Sequence, residues 1–414
     1  MNRDQIKYGN FQKTASDTLT DLGPLLGPLS QIKLTGKNEM SRQRVKLLAR
    51  NLADVSNRAW LKQFDLSRFG PEGAEPFEFT LDPDDRDYDW LVVYDEIPKI
   101  SVDAGKSDGP MRQFEELNCP PKNSILVTSE PSTIKTYGKK YVSQFGYVLT
   151  GLEPWSMHNH PGAIIEQSSM VWYYGWKYDK PGEGRSDFDE LANRPWPEKS
   201  ELISTFCSDK RQRSTLHNQR YVFTQYLKSQ LQELQIFGHG AHWVSDKAEA
   251  LDPYRYHVAI ENHIAPDHWT EKLADAFLGY CLPLYFGATK AADYFPKDAL
   301  IELDLARPEW SAARIKDAIA NDEFTGRKPA IEEARQRILH EHNLFPHIAR
   351  IISERGNVVE KPTRPVTIHS RHSLRKSNPI YAISHFIEKL IQTRRSTRHQ
   401  KNLVPAYSRL EDLS

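Results

Sequence analysis

Cysteine is scarce in this chain of 414 residues, where only Cys119, Cys207 and Cys281 occur. Their number is odd, their spacings are long and no CxxC pair is present, which argues against a disulfide framework and against a cysteine zinc site. We expect three small buried thiols, as in a protein of a reducing cytoplasm.

Long apolar runs and an excess of one charge are also missing. No stretch of about 18 apolar residues occurs, so no transmembrane helix is expected, and "MNRDQIKYGNFQ" lacks the apolar core of a signal peptide. Lys and Arg number 55, as do Asp and Glu, so global charge indicates neither a nucleic-acid nor a membrane partner. Hydrophobic residues make up 39% of the chain, enough for real cores.

Short apolar runs in the first half predict buried strands in "DWLVVYDEIP" (89–98), "NSILVTSEP" (123–131) and "YVLTGL" (147–152). The intervening "STIKTYGKKYVSQF" suggests a short helix capped by Ser132. Residues 1–50 are polar and weakly patterned, and "GPLLGPLSQ" is predicted to be a loop with two prolines, not a helix.

The same alternation of strands and helices resumes after residue 200, which predicts α/β layers built from crossover units. Residues 175–200 are rich in Pro, Gly and charge and suit a domain boundary. We therefore predict an N-terminal α/β domain over 1–175, a second α/β domain over 198–345 and a helical basic tail over 346–414.

The stretch "HVAIENHIAPDHWTEKLADAFLGYCLPLYFG" (257–287) predicts a buried strand, a polar loop, a helix and a second strand. Thr270 is a good N-cap, and Glu271 and Lys272 fall in the first helical turn. A helix start carries about half a positive charge, so Lys272 is unfavourable there unless an anion lies beside it. Phosphate is the usual anion at such a site. A well-capped helix with two ordinary solvent-facing charges remains the alternative.

The wider pattern resembles a known family. "AIEN…TEKLADAFLGYCLPLYFG", followed by "DYFPKDALIELD", is similar to the donor-binding half of the family 10 glycosyltransferases, the α-1,3-fucosyltransferases. "FCSDKRQRSTLHNQRYVFTQYL" resembles a further segment upstream. The ordered match runs from about residue 201 to 305, with a weaker one over 85–150. The matching positions are Asn262, Thr270, Glu271, Lys272, Pro283, Tyr285, Gly287, Phe295, Pro296 and Ile301.

This resemblance implies a GT-B-like fold, with two Rossmann-like domains facing each other across a cleft. It implies inverting transfer of L-fucose from GDP-β-L-fucose to a hydroxyl of an oligosaccharide or glycolipid, with α-1,3 linkage the family default. No cofactor is required, and a divalent metal would at most stimulate. A transferase of the same fold with another nucleotide sugar, or a non-catalytic nucleotide- or carbohydrate-binding relative, stays open.

By the same resemblance, Arg220 and Lys272 bind the donor diphosphate, while Glu271 and Asn262 contact donor hydroxyls. His268 stands where the family often has Tyr, which leaves its ribose or base contact open. The following Trp269 would supply an aromatic surface instead.

Two glycines in "FGHGAH" (237–242), Gly238 and Gly240, resemble a family turn near the nucleotide. A tight strand exit explains them equally well.

Glu130 directly follows a predicted buried strand, on the loop before the next helix. Inverting transfer needs a carboxylate that removes a proton from the acceptor hydroxyl while the leaving group departs on the other side. Glu130 matches the family's proposed general base. A helix-entry acid that interacts with the helix dipole is the alternative.

We expect no metal site. "LDPDDRDYDW" (81–90) contains acids at DxD spacing, but it precedes a strand and is predicted to be a solvated acidic turn. His158 and His160 in "MHNHPG" lack further convergent ligands.

The tail beyond residue 360 is basic and contains an amphipathic helical pattern through Ile380, Ile383, Phe386, Ile387, Leu390 and Ile391. Some bacterial relatives attach to the membrane by such a tail, which would make the protein cytoplasmic and peripheral at the inner face. The alternative is that the apolar face packs onto the domains. A nucleic-acid partner is not expected, because aromatic residues do not interleave the basic run.

Overall fold

The computed structural model describes residues 42–49, 62–101, 111–177, 187–212, 215–356, 358, 360 and 364–404. The predicted loop "GPLLGPLSQ" lies outside them. The described strands are β1 (Gln43–Ala49), β2 (Phe77–Thr80), β3 (Trp90–Tyr94), β4 (Ile100–Ser101), β5 (Met111–Arg112), β6 (Phe114–Glu116), β7 (Ser124–Val127), β8 (Tyr147–Thr150), β9 (Ala163–Ile165), β10 (Glu201–Phe206), β11 (Gln235–Phe237), β12 (Tyr254–Ile260), β13 (Leu282–Phe286), β14 (Ile301–Glu302) and β15 (Thr367–His369).

Helices surround these strands. They are α1 (Leu66–Phe69), α2 (Lys139–Val142), α3 (Phe188–Ala192), α4 (His217–Gln230), α5 (Glu271–Leu278), α6 (Ala291–Tyr294), α7 (Pro308–Ala320), α8 (Glu323–His340), α9 (Leu344–Arg355), α10 (Arg371–Ser377) and α11 (Pro379–Leu403).

Two fully parallel sheets form the frame. The first has the strand order β2–β1–β3–β7–β8–β9, and the second has the order β11–β10–β12–β13–β14. Parallel sheets are covered on both faces, which is why their strands are continuous apolar runs such as "WLVVY" and "SILV". The predicted pair of α/β layers is confirmed.

Each sheet has its own hydrophobic core. The second contains buried residues of α4, α5, α7 and α8. The first includes Leu344, Phe345, Ile348 and Ile352 of α9, so the chain returns to the first sheet after completing the second.

The carboxyl ends of the two sheets face each other, which is the arrangement expected of a GT-B-like fold. A Cβ on Gly151, just after β8, would lie 2.6 Å from the backbone oxygen of Asp267, so only glycine permits this approach. Thr133 Oγ1 and His263 Nδ1 lie 3.5 Å apart across the same boundary. In parallel α/β sheets this edge is where ligands bind.

The first half departs from the sequence pattern in two places. The weakly patterned residues before 50 contain a strand, β1, in which Val45 to Ala49 are buried. No helix starts at Ser132, because α2 begins only at Lys139, and the Ser132 hydroxyl instead donates to Glu153 at 3.4 Å.

The tail helix is confirmed within α11, but its predicted apolar face points outward. Phe386 is 61% exposed and Ile380 79% exposed, and the other four apolar residues of the pattern are exposed as well. The buried side chains of α11 are polar: His385, Gln392, Ser396 and Gln400. The alternative that the apolar face packs onto the domains is therefore wrong. Within the described ranges, no helix has both the length and the apolar character needed to cross a membrane.

Candidate active site

Glu261 organises the carboxyl edge of the second sheet. It follows β12 and is buried, and its carboxylate accepts the backbone N–H of Thr270 at 2.8 Å and the Thr270 hydroxyl at 2.7 Å. This fixes the start of α5 against the end of β12. A Cβ on Gly287, at the end of β13, would lie 2.3 Å from Glu261 Cγ, so glycine is required there.

Lys272 lies in the first turn of α5 and finds its anions within the protein. Its ammonium lies 2.8 Å from Glu271 Oε1 and 3.4 Å from Glu261 Oε2. Burial disfavours the charged forms of both Lys272 and Glu271, but the attraction within the ion pair outweighs this effect. The pair raises the pKa of Lys272 above its ordinary value, and together with the charge of Lys247 it lowers the pKa of Glu271 to about 2. The position of Lys272 at the helix start requires a nearby anion, and two carboxylates of the protein, those of Glu271 and Glu261, thus supply it.

Arg220 brings a second positive charge to this edge. It lies in the first turns of α4 and is only 8% exposed, yet among the described residues its side chain has no hydrogen bond or ion pair and its Nε is buried without a partner. Burial, with the charges of Arg220, Lys272 and Lys210, lowers the pKa of nearby His217 to about 4. Arg220 and Lys272 thus both lie close to His217. Two buried or half-buried cations near two helix starts form a natural anion site.

Asn262 joins this edge from the end of β12. Its backbone oxygen accepts the N–H of Leu216, which holds the start of α4 next to it. Its side-chain Oδ1 is buried and has no partner among the described residues. A buried, unsatisfied amide oxygen is costly unless a ligand completes it.

His268 and Trp269 are less accessible than expected. His268 is 3% exposed, with its ring 5.8 Å from that of His263, and its Nδ1 has no partner within the described chain. Burial, together with the charge of Lys272, lowers its pKa to about 3. Trp269 packs against Tyr294 and Phe295 in the core, so the expectation that it offers an aromatic surface is wrong.

Gly238 and Gly240 form a turn after β11. Their φ angles are +124° and +81°, which disfavour other residues. A Cβ on Gly240 would also lie 2.8 Å from the Asp209 side chain. This turn lies at the carboxyl edge of the second sheet, as the sequence predicts, and a tight strand exit accounts for its geometry.

Glu130 lies on the opposite edge, on the loop after β7. Its side chain reaches solvent, and its carboxylate makes no hydrogen bond or ion pair with any residue the structure describes. Partial desolvation and the charges of Asp95 and Glu271 raise its pKa, against the opposing charges of Lys135 and Lys272. Glu271 and Lys272, on the edge of the second sheet, therefore lie close enough to Glu130 to affect its pKa.

A network that the sequence does not reveal holds the Glu130 loop. The Tyr137 hydroxyl accepts the backbone N–H groups of Ser129 at 3.0 Å and Glu130 at 3.3 Å. It donates in turn to the Asp95 carboxylate, which also pairs with Lys135. Asp95 follows β3 with φ of +69°, a conformation that only a firmly held non-glycine residue adopts.

Carboxylates of the acidic turn at residues 82–87 form ion pairs with arginines. Arg44 lies 2.8 Å from Asp85 and 2.7 Å from Asp87, and Arg112 lies 2.7 Å from Asp84. His158 lies 2.9 Å from Glu388. No group of three or more metal-type ligands converges in the portion of the chain with described coordinates.

Comparison with known proteins finds a family match over part of the chain. Residues 196–323 match the family model described as glycosyltransferase family 10 (fucosyltransferase), C-terminal. A crystal structure of an α1,3-fucosyltransferase is similar over 74% of this chain and 93% of that chain, at 13% identity and a TM-score of 0.39. One with GDP-fucose covers 72% and 84%, at 13% identity and a TM-score of 0.40. A DNA-modifying β-glucosyltransferase covers 73% and 98%, at 8% identity and a TM-score of 0.37. The two parallel sheets themselves, not these likenesses, establish the fold.

Proposed function

Since residues 196–323 match the model of the C-terminal part of glycosyltransferase family 10, we propose that the chain transfers L-fucose from GDP-β-L-fucose to a glycan hydroxyl with inversion. The observation that carries the proposal is the buried, unpaired guanidinium of Arg220 beside Lys272, at a sheet edge that faces Glu130. An α-1,3 linkage is the family default. The acceptor is an oligosaccharide or a glycolipid.

Arg220 and Lys272 stabilise the GDP leaving group. As the glycosidic bond breaks, negative charge grows on the diphosphate, and fixed cations aimed at it lower the barrier. The N-terminal turns of α4 and α5 add backbone N–H groups to the same site. No metal is needed, because these groups supply the positive charge.

Glu271, Asn262 and the Gly238–Gly240 turn orient the donor. The Glu271 carboxylate, held ionised by Lys272, accepts hydrogen bonds from sugar or ribose hydroxyls. Asn262 contributes its unsatisfied amide oxygen. The glycine turn brings backbone close to the nucleotide, and buried His268 adds its unpartnered Nδ1 on the loop before α5.

Glu130 acts as the general base. It removes the acceptor hydroxyl proton while the oxygen attacks the anomeric carbon from the face opposite GDP, in a single displacement without a covalent intermediate. Its raised pKa makes it a stronger base than an ordinary glutamate. Its free carboxylate leaves room for an acceptor.

The Asp95 network predicts a signed pH effect. Activity rises with pH as Glu130 deprotonates, and Asp95→Asn removes a negative charge that raises the Glu130 pKa, so the acid limb of the kcat/KM profile should move to lower pH. Lys135→Met should move it to higher pH, since Lys135 opposes that rise. A loss of plateau activity in both variants without opposite shifts would show that the network is only structural.

A panel of nucleotide sugars in a thermal-shift assay tests the donor. A ligand present at about 100 times its Kd stabilises the native state by about 2.7 kcal/mol, which raises the melting temperature by several degrees. We expect this rise with GDP-fucose and not with GDP-mannose or UDP-sugars. A selective rise with another nucleotide sugar would favour the same-fold alternative. A rise with GDP-fucose without transfer to any acceptor would favour a non-catalytic relative.

The outward apolar face of α11 favours attachment to a membrane surface, with the protein cytoplasmic and peripheral at the inner face. Five Lys or Arg residues and a single acid, Glu388, accompany the apolar face along this helix. Such a helix lies in the lipid interface, where apolar burial and basic charge add.

Removing part of this face should weaken attachment. Replacing both Ile383 and Phe386 with Ser should lower partition onto phosphatidylserine vesicles at least tenfold, because each buried apolar side chain contributes about 1.5–3 kcal/mol. Trp310→Ser, at a 43% exposed apolar residue on α7, is the control. Unchanged vesicle sedimentation of the double variant would rule out attachment through this face.

A further inference from the structure

A groove lined by arginines and a tryptophan runs between Trp155, on the loop after β8, and the C-terminal half of α11. One part has a volume of about 490 Å³ and is lined by Trp155, Ile391, Arg394, Arg395, Arg398 and His399. A second part of about 350 Å³ shares Trp155, Ile391 and Arg395 with it. The two parts are therefore adjacent and share a wall, and together they are called the groove below.

The groove has an excess of positive charge. Arg394, Arg395 and Arg398 are exposed and have no carboxylate partner among residues with described positions. The nearby acids are already engaged: Glu388 binds His158 at 2.9 Å, and Glu153 lies between His263 at 3.4 Å and His399 at 3.6 Å. An anion entering the groove thus meets free guanidinium groups.

Arg395 is held in place before any ligand binds. Its guanidinium lies over the Trp155 ring at 4.2 Å, a cation–π arrangement that limits its freedom. A preorganised guanidinium binds carboxylate or phosphate in a two-pronged geometry that lysine cannot reproduce. The remaining Trp155 and Ile391 surface suits the less polar face of a sugar ring.

The groove also connects to the loop of the proposed base. Its wall residue His399 lies 3.6 Å from Glu153, and Glu153 accepts a hydrogen bond from Ser132 at 3.4 Å, two residues after Glu130. Trp155 lies on the loop after β8 of the first sheet, whereas Gln400, next to His399 on α11, bonds to the backbone of Ile264 after β12 of the second sheet. The groove therefore lies where loops of both sheets meet, close to the loop that carries Glu130.

We propose that this groove binds an acidic part of the acceptor glycan, with a carboxylate or phosphate among Arg394, Arg395 and Arg398 and a sugar ring against Trp155. The inference rests on the proposed transferase function and names the chemical class of its acceptor. Neutral glycans leave the three guanidinium groups unpaired and bind less tightly.

Three matched trisaccharides test it: one ending in glucuronic acid, one ending in glucose and one ending in glucose 6-phosphate. Calorimetry without donor measures binding, and transfer from GDP-fucose measures KM, both without lipid. We expect at least one charged trisaccharide to bind about tenfold or more tightly than the neutral one. Which of the two does so tells carboxylate from phosphate.

A charge-removing variant locates the effect. Replacing Arg394 and Arg398 together with Gln should abolish the preference for the charged trisaccharide and leave the Kd for GDP unchanged. Arg375→Gln, an exposed arginine on α10, should leave the preference intact. The proposal is overturned if wild type binds all three sugars equally, or if the double variant keeps its preference and loses only binding to anionic vesicles. If the protein transferred fucose to no acceptor, the proposed function would be wrong. The calorimetric preference would still show whether the groove binds acidic glycans.

Discussion

Glu130→Gln should lower kcat by about a thousandfold and leave the Kd for GDP unchanged. General-base catalysis contributes about 10²–10⁴ to a rate, and glutamine keeps the shape of glutamate but cannot accept the proton. Because the Glu130 carboxylate has no partner within the described chain, the substitution breaks no ion pair. The ligand-free melting temperature should therefore stay within a degree or two of wild type.

The control is Glu116→Gln, an exposed acid of β6 in the same domain, which should retain full activity. Single-turnover kinetics with saturating GDP-fucose separate the chemical step from donor binding. If Glu130→Gln transferred fucose at the wild-type rate, the base would have to be sought elsewhere on the first sheet's edge, with Asp95 the nearest carboxylate.

The segment from β12 to β13 was predictable because its signals are local. A buried strand, the Thr270 N-cap and one apolar helix face all lie within a few turns of chain, and each appears where expected. The Lys272 environment was only partly predictable. Its position against the helix dipole required an anion, but nothing in the spacing indicated that Glu261, eleven residues before Lys272, would reach it.

The support for Glu130 could not be predicted in the same way. Asp95 and Tyr137 are 42 residues apart and meet only because β3 and β7 are neighbours in the sheet. Asp95, the acid directly after β3, was the available signal in the sequence. An acid at the end of a strand, however, is explained equally well by several ordinary structural roles. Strand adjacency is a tertiary property that one sequence without relatives does not give.

Helix α11 shows a different limit. Apolar periodicity correctly identified a helix with two faces, but it cannot tell which face meets the protein. Here the polar side is inside, and part of it is held by amide hydrogen bonds: Gln400 both donates to and accepts from the Ile264 backbone at 2.8 Å, and Gln392 donates to the Ser156 backbone at 2.6 Å. Hydrogen bonds of this kind make it possible to bury polar side chains, and the apolar side of α11 is left facing outward.

Arg220→Met should weaken GDP binding and catalysis without lowering stability, whereas a change at Lys272 would affect both function and stability. Removing Lys272 would leave Glu261 and Glu271 buried without their cation, so lost affinity and lost stability would be mixed. Arg220 has no partner among the described residues and lies beside other positive charge. Its removal should leave the melting temperature of the ligand-free protein unchanged or raise it.

The same variant should bind GDP about 10–100-fold more weakly, since a charged hydrogen bond contributes about 1.5–3 kcal/mol. Its kcat should fall by a further factor of about 10²–10³, because the charge on the leaving diphosphate is greatest in the transition state. Lys228→Met, at the far end of α4, is the control for GDP affinity only, since Lys228 also donates to the backbone oxygens of Gln232 and Leu234. Calorimetry with GDP checks the expected loss of affinity. A melting curve without ligand checks that the melting temperature is unchanged or raised. A ligand-free protein that is destabilised while GDP affinity is kept would make Arg220 a structural residue and leave the diphosphate to Lys272 and the two helix starts.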